Sequence, residues 1–165
     1  MSSERAIRPL LTALALAALA LSSCGYALRG VGAVEAVSIG RVENRTFEPK
    51  LGDRLNSALV AALLRNGIRV EDGAPHVLEG KITDFDLRSV AEKGGVTVAY
   101  EVLIKGDFFL MGPDGSRRKL RDRGVFIITF SSQGDLTGVL ARKEEATLRA
   151  LEDLSEELAA SILYD

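Results

Sequence analysis

The sequence predicts an α+β fold: a two-layer sandwich with two helices packed on one face of a four-stranded mixed sheet, in the order β-α-β-β-β-α. Three observations predict it. Two stretches, one early and one at the end, repeat apolar residues at helical spacing. Four stretches, one before them and three between them, alternate apolar and polar residues with the period of a strand. A Gly112-Pro113-Asp114-Gly115 turn then joins two of those strands as a hairpin.

The first strand is expected over Val34–Val42, with Val37 and Ile39 on one face. Asn44-Arg45-Thr46 marks a turn, and Pro49 suits the first turn of a helix because its fixed φ and missing N–H cost nothing there. Leu51, Leu55, Ala58, Leu59, Ala62 and Leu63 fall on one helical face, and Asn66-Gly67 supplies a stop, so the first helix spans about Pro49–Asn66. Ile68–Val70 reads as a short strand or the approach to one. After the Asp72-Gly73-Ala74-Pro75 break, His76–Leu87 alternates, with Leu78, Gly80 and Ile82 set against Glu79, Lys81 and Thr83. A loop through Glu92-Lys93-Gly94-Gly95 leads to the clearest strand, whose Val96, Val98, Tyr100, Val102, Ile104, Phe108 and Leu110 share a face. The return strand runs from about Arg118 to Ser131, with Leu120, Phe126, Ile128 and Phe130 inward. The last helix is expected over roughly Thr137–Leu163, with Ala141, Leu148, Leu151, Leu154, Leu158 and Ile162 as its apolar stripe. A right-handed crossover makes the first two strands parallel; the other three form an antiparallel meander.

One feature departs from a plain two-layer pattern. The outer face of the last two strands also carries Leu103, Phe109, Val125 and Ile127, with Arg121 and Arg123 pointing the same way. Such a face normally meets water. The apolar residues are either scattered surface aliphatics or a surface for a partner.

Residues 1–23 have a composition of their own. Arg5 and Arg8 precede an apolar run, Leu10–Leu21, interrupted by Thr12. Twelve helical residues rise about 18 Å, short of the roughly 30 Å hydrocarbon core, so the run reads as a signal-peptide core and not a membrane span. Leu21-Ser22-Ser23-Cys24 follows. It resembles the bacterial lipobox, which implies a lipidated Cys24 as the mature N-terminus; more than one acyl chain gives lasting attachment. Gly25, in place of an aspartate, implies by the same resemblance the periplasmic face of the outer membrane. Residues 24–33 read as a lipid-anchored tether and 34–165 as one α/β domain.

Composition narrows the function classes. The 165-residue chain has a net charge of −2, which argues with the export signal against nucleic acid as a partner. A lone cysteine leaves no internal disulfide and no Cys-rich metal site, and a lone histidine, His76, leaves no multi-His site. His76 near Asp72, Asp84 and Asp86 lacks any nucleophile motif and reads as a surface histidine. Asp84 and Asp86 share a strand face and read as solvated acids. The Gly94-Gly95 and Gly112–Gly115 turns lack phosphate-loop spacing and do not open a helix. No cofactor, no metal and no enzymatic activity are expected. Arg117, Arg118, Lys119, Arg121 and Arg123 form the densest basic run. It fits either an anion such as a lipid A phosphate, through paired guanidinium hydrogen bonds, or a charged strand edge guarding against aggregation.

Several motifs together resemble one family. Cys24-Gly25-Tyr26-Ala27-Leu28-Arg29-Gly30 is similar to the Cys-Gly-aromatic-x-Leu-Arg opening of LptE-type lipopolysaccharide-assembly lipoproteins. Val42-Glu43-Asn44-Arg45-Thr46-Phe47-Glu48-Pro49, the Gly94–Val102 segment with Tyr100-Glu101, and Leu140-Ala141-Arg142 resemble stretches of the same family. The resemblance implies a non-enzymatic protein that plugs the large outer-membrane β-barrel LptD, assists its assembly and binds lipopolysaccharide for insertion into the outer leaflet. It implies basic lipopolysaccharide contacts in the loop before the third strand, here Lys93, and near the start of the last helix, here Arg142 or Lys143. Asn44-Arg45-Thr46 also resembles a turn of other envelope lipoproteins, which leaves a second role open: accessory or activator of a cell-wall synthase or a secretion channel.

Overall fold

The structure, a computed structural model, describes residues 34–93, 96–121, 124–131 and 135–164, with backbone only for 96–98. The leader, Cys24 and the tether lie outside the described residues, as do Gly94, Gly95 and Arg123. The elements are β1 (Ala36–Asn44), α1 (Leu51–Arg65), β2 (Arg69–Val70), β3 (His76–Lys93), β4 (Val96–Met111), β5 (Arg117–Lys119), β6 (Phe126–Ser131) and α2 (Leu136–Tyr164).

Among the described residues the architecture is α+β, with two helices and a mixed sheet, but the sheet has six strands where four were expected. The order is β2-β1-β3-β4-β5, with β6 also on β4. β1 pairs in parallel with both β2 and β3, and β3, β4 and the two last strands are antiparallel. Two corrections explain the count. Ile68–Val70 contributes a genuine edge strand, since Arg69 and Val70 pair with Ala36 and Val37. The expected single return strand is two pieces along one edge of β4: Arg117–Lys119 opposite Phe109–Met111, and Phe126–Ser131 opposite Ala99–Ile104. Between them the chain leaves the ladder. Leu120 N–H still donates to the Phe108 carbonyl, but Arg121 N–H turns to the Ser161 hydroxyl on α2, and Gly124 takes a left-handed φ of 77° before pairing resumes.

The inner face follows the alternation. Val37, Leu78, Ile82, Val102, Ile104, Phe108, Leu110, Leu120, Phe126 and Phe130 are buried against the helices in one core. β3 runs to Lys93, well past the expected Leu87, so β3 and β4 form a long ribbon beyond the end of β1. Bulges between Ile82 and Asp84 and between Ser89 and Ala91 shift the alternation, which puts Phe85 rather than Asp84 on the helix side. Phe108 packs flat over two glycines. A Cβ at Gly80 would lie 2.1 Å from its ring, and one at Gly106 2.5 Å away. These strand glycines exist to let the ring approach the backbone.

α1 buries Leu51, Leu55, Leu59, Ala62 and Leu63, as the spacing predicts. It starts at Leu51 because Lys50, not Pro49, occupies the cap position, with φ 63°. On α2 the stripe is Ala146, Ala150, Leu151, Leu154, Leu158, Ala159 and Ile162, completed by the small polar residues Thr147, Ser155 and Ser161. Thr147 and Ser155 satisfy their hydroxyls on the carbonyls of Lys143 and Leu151. Ala141 and Leu148 are exposed, contrary to the expected stripe, because small residues let α2 lie close to α1 and the sheet along a slightly rotated face. Asp135 caps the helix by accepting from Gly138 N–H at 2.9 Å. The acidic run near the end of α2 acquires one structural role: Glu156 accepts from Arg65 and Asn66 and so fastens the C-terminal end of α1.

Candidate functional site

The helices cover one face of the sheet. The other face is where the sequence placed its partner candidates. At one end of it Arg117 stacks its guanidinium 3.6 Å over the ring of Phe109, itself half-buried. A groove of about 390 Å³ opens beside them, lined by Arg41, Glu43, Arg45, Glu79, Lys81 and Asp107 among others. Its charges are largely paired. Glu43 holds Arg41 at 2.9 Å and also Arg45, while Asp107 holds Lys119 at 2.9 Å and Lys81 at 3.7 Å. The Lys119 hydrogen bond, with the charges of Lys119 and Lys81, keeps the Asp107 carboxyl below the usual carboxylate range against the opposing effect of burial. Arg117 has no carboxylate partner among the described residues.

The remaining apolar candidates lie along β4 and β6. Ile127 is 49% exposed and Val125 is half-buried. Leu103 corrects the expectation of exposure. It is only 5% exposed, because it sits mid-ribbon with Asp86 and Ile127 as its cross-strand neighbours on either side. Arg121 is exposed.

The basic candidates do not form one cluster. Ser131, Ala99 and Ala91 lie opposite one another across β6, β4 and β3. Arg142 Nε donates to the Ser131 carbonyl at 2.7 Å, and Lys93 ends β3 two residues beyond Ala91. Arg142 and Lys93 therefore share one end of the sheet. Arg117, Arg118 and Lys119 pair with Met111, Leu110 and Phe109 at the other end. Ten or so strand residues separate the two groups, roughly 35 Å. Internal bonds further divide them. Arg118 donates to the Ser161 carbonyl and Lys119 to Asp107, so both hold the fold together. Lys143 does the same: its ammonium meets both oxygens of Glu48, at 2.9 and 2.8 Å, with the two side chains three-quarters or more covered. It also lies 5.3 Å from the centre of the Phe85 ring.

That ion pair reveals what sequence reasoning missed. Asn44 accepts from the backbone and hydroxyl of Thr46 and donates to the Glu48 carbonyl; the Thr46 hydroxyl in turn accepts from Glu48 N–H. Arg45 N–H donates to the Ile82 carbonyl. The turn is closed by its own polar side chains and strapped to α2 by Glu48, which leaves Phe47 fully exposed. The Asn and Thr were legible as a turn; a partner 95 residues away was not.

The acid candidates have ordinary neighbours. Asp84 accepts from the Thr83 hydroxyl, and Asp86 accepts from Arg88, whose hydrogen bond lowers its pKa. His76 is half-buried at the start of β3. Among the described residues no group of three or more His, Cys, Asp or Glu side chains is placed to hold a metal ion, and no helix is long and apolar enough to cross a membrane.

The fold and this surface define a class: a two-layer α+β domain with one helix-covered and one open sheet face. Rare lipoprotein B of Shewanella oneidensis has this fold, with a TM-score of 0.52 and 12% identity over 76% of this chain and 92% of that one. So do PelC of Paraburkholderia phytofirmans, a dodecamer, with a TM-score of 0.51 and 16% identity over 81% and 91%, and a Xanthomonas campestris protein with a TM-score of 0.54 and 16% identity over 79% and 84%. Identities this low show the fold alone. Among curated proteins no match is found. The family itself is settled by sequence: residues 34–165 match the LptE lipopolysaccharide-assembly family, and the chain belongs to it. That family is one of non-enzymatic lipoproteins.

Proposed function

We propose that this chain is an outer-membrane lipoprotein, anchored on the periplasmic side through a lipidated Cys24. It plugs an LptD-like β-barrel, helps it assemble, and binds lipopolysaccharide for insertion into the outer leaflet. The observation that carries the reading is a sheet with one open face, bearing Phe109, Val125 and Ile127, in a chain of the LptE family. An antiparallel ribbon with apolar residues on its uncovered side gains from being enclosed, and a barrel lumen encloses it. Arg117 on Phe109 and the exposed Arg121 border that face, whereas the buried Leu103 drops out of it.

Lipopolysaccharide binding draws on the cations at one end of the sheet: Lys93 at the ribbon end and Arg142, which already donates to the Ser131 carbonyl and would share its remaining N–H groups, offer the pair for lipid A phosphates. Charge-assisted hydrogen bonds to phosphate are about twice as strong as neutral ones, and more so once water is excluded. The test is affinity purification of the tagged full-length protein from detergent-solubilised outer membrane. Recovery of the LptD barrel is the expected result. Recovery of a cell-wall synthase or a secretion channel in its place would overturn the reading.

A further inference from the structure

The inward stripe of α2 does not stop where the core stops. Taking 100° per residue, Leu136 and Leu140 point along the same side as Thr147, Leu154 and Leu158, which are fully covered. Yet Leu136 is 73% exposed and Leu140 56% exposed. In the first two turns of the helix, Val139 packs on the core, while Leu136 and Leu140 stay largely uncovered by the described residues. The next turn brings Lys143, and through it Glu48 and the Phe47 turn. The Glu48–Lys143 ion pair thus ties a turn that carries a fully exposed phenylalanine to the helix whose preceding two turns carry the exposed Leu136 and Leu140.

The phenylalanine is presented, not merely left outside. Four hydrogen bonds within Asn44–Glu48, one from Arg45 to β3, and the two-oxygen contact of Glu48 with Lys143 hold the turn. A ring fixed in advance loses little conformational freedom on burial, which is the property of an anchor residue. The charges around it have one sign to offer. Glu48 is turned inward and neutralised by Lys143, and Glu43 is shared by two cations, Arg41 and Arg45, so one positive charge is left over there; Lys50, on the other side of the ring in sequence, is exposed. A partner surface with an apolar pocket and an acidic rim complements that arrangement.

We infer that the Phe47–Leu136–Leu140 shoulder is a docking anchor for a protein pocket with an acidic rim, on the wall of the barrel partner. The inference rests on the barrel reading given above. The point at which the preceding chain joins favours a protein over the anchoring membrane as occupant. Residues 1–33 lead in at Val34, before β1, whereas Phe47 follows its far end. Nine strand residues, about 30 Å, lie between.

The full-length chain is co-expressed with an affinity-tagged LptD barrel, and its retention after detergent washing is measured. Phe47→Asp should lower retention at least tenfold, Phe47→Leu only slightly, and Leu136→Ser/Leu140→Ser severalfold. A photo-crosslinking residue placed at position 47 should join the chain to the barrel. Because Phe47 is outside the core, the circular dichroism and melting of Phe47→Asp should match the wild type. If the wild type is retained and Phe47→Asp equally so, the anchor is wrong and the barrel reading stands. If the wild type itself is not retained, the barrel reading fails and the anchor with it. Phe47-dependent binding of the unlipidated chain to phosphatidylglycerol vesicles, without crosslinking to the barrel, would assign the shoulder to a membrane and overturn the inference.

Discussion

Gly80→Ala is a one-methyl test of how the sheet is packed. The added Cβ would lie 2.1 Å from one edge carbon of the Phe108 ring, 2.6 Å from the next and 3.1 Å from a third, where ordinary contact begins near 3.4 Å. The ring must therefore move by more than an ångström. It cannot slide along the sheet, since it already spans Gly106, whose own Cβ position lies 2.5 Å from the opposite edge. It can only lift into a core of fully buried leucines and isoleucines. Overpacking of this kind costs about 1–3 kcal/mol and occasionally more; with three close atoms and no free direction, about 3 kcal/mol is expected. For a domain of this size each kcal/mol moves Tm by roughly 3–4 °C, which gives a drop of about 10 °C. Urea unfolding followed by circular dichroism measures the free energy directly. Phe108→Ala alone should cost about 3–5 kcal/mol through its cavity. The double variant should cost at least about 1.5 kcal/mol less than the sum of the two, because the collision goes with the ring. A Gly80→Ala protein within about 0.5 kcal/mol of wild type, or strict additivity in the double variant, would refute the packing argument.

Three other outcomes are expected. Lys143→Met should destabilise by about 1–2 kcal/mol, because it leaves the largely covered Glu48 carboxylate without its cation, and Glu48→Gln added to it should restore most of the loss in the same urea assay. Glu156 is pushed up by burial, but the hydrogen bonds from Arg65 and Asn66 and the Arg65 charge outweigh this and hold its carboxyl below the ordinary glutamate value. A lowered folded value means that its contribution is complete above the unfolded value and disappears as pH falls through the folded one. Glu156→Gln should therefore cost a few tenths of a kcal/mol at pH 7, the pair being partly exposed, and wild type and variant should converge in acid; a gap that persists in strong acid would argue against the pair as its source. Finally, Lys93→Glu/Arg142→Glu should weaken lipopolysaccharide binding by the purified protein at least tenfold, while Arg117→Glu, at the other end of the sheet, should change it less than twofold. Unchanged affinity in the first variant would remove the assignment of that end.

What could be read from the sequence depended on the range of the interaction. Alternation placed Val102, Ile104, Phe108 and Leu110 on the buried face, and helical spacing placed Leu51, Leu55, Leu59 and Leu63 there, because each pattern is set by the local backbone period. The split of the return strand was not legible. Leu120 and Phe126 keep the alternation on both sides of the break, so the period shows no interruption; the interruption comes from Ser161, forty residues away, which takes the Arg121 N–H. The stripe on α2 was misplaced at Ala141 and Leu148 for a similar reason. Alanine, serine and threonine are weak hydrophobic signals, yet Ala146, Thr147, Ala150 and Ser155 are the residues that permit close approach. Gly80 stood in the alternation as an apparent gap; only the Phe108 ring above it shows that the gap is filled.

The same distinction of range sorts the candidate cations, which the sequence could not do. A basic residue near a strand or helix end looks alike in one dimension whether it meets an internal acid or a ligand. In three dimensions Lys119 and Lys143 are drawn to Asp107 and Glu48, and Arg118 to a helix carbonyl. Moving any of them to an anionic ligand would leave a carboxylate or carbonyl behind and cost stability. Lys93, Lys50 and Arg117 carry no such obligation among the described residues. They stand at the ribbon end, beside the turn that follows β1, and on the open sheet face. Those are three separate places at which a positive charge faces outward with no internal acid to hold it, so reversing the charge at one should leave the fold and the other two undisturbed.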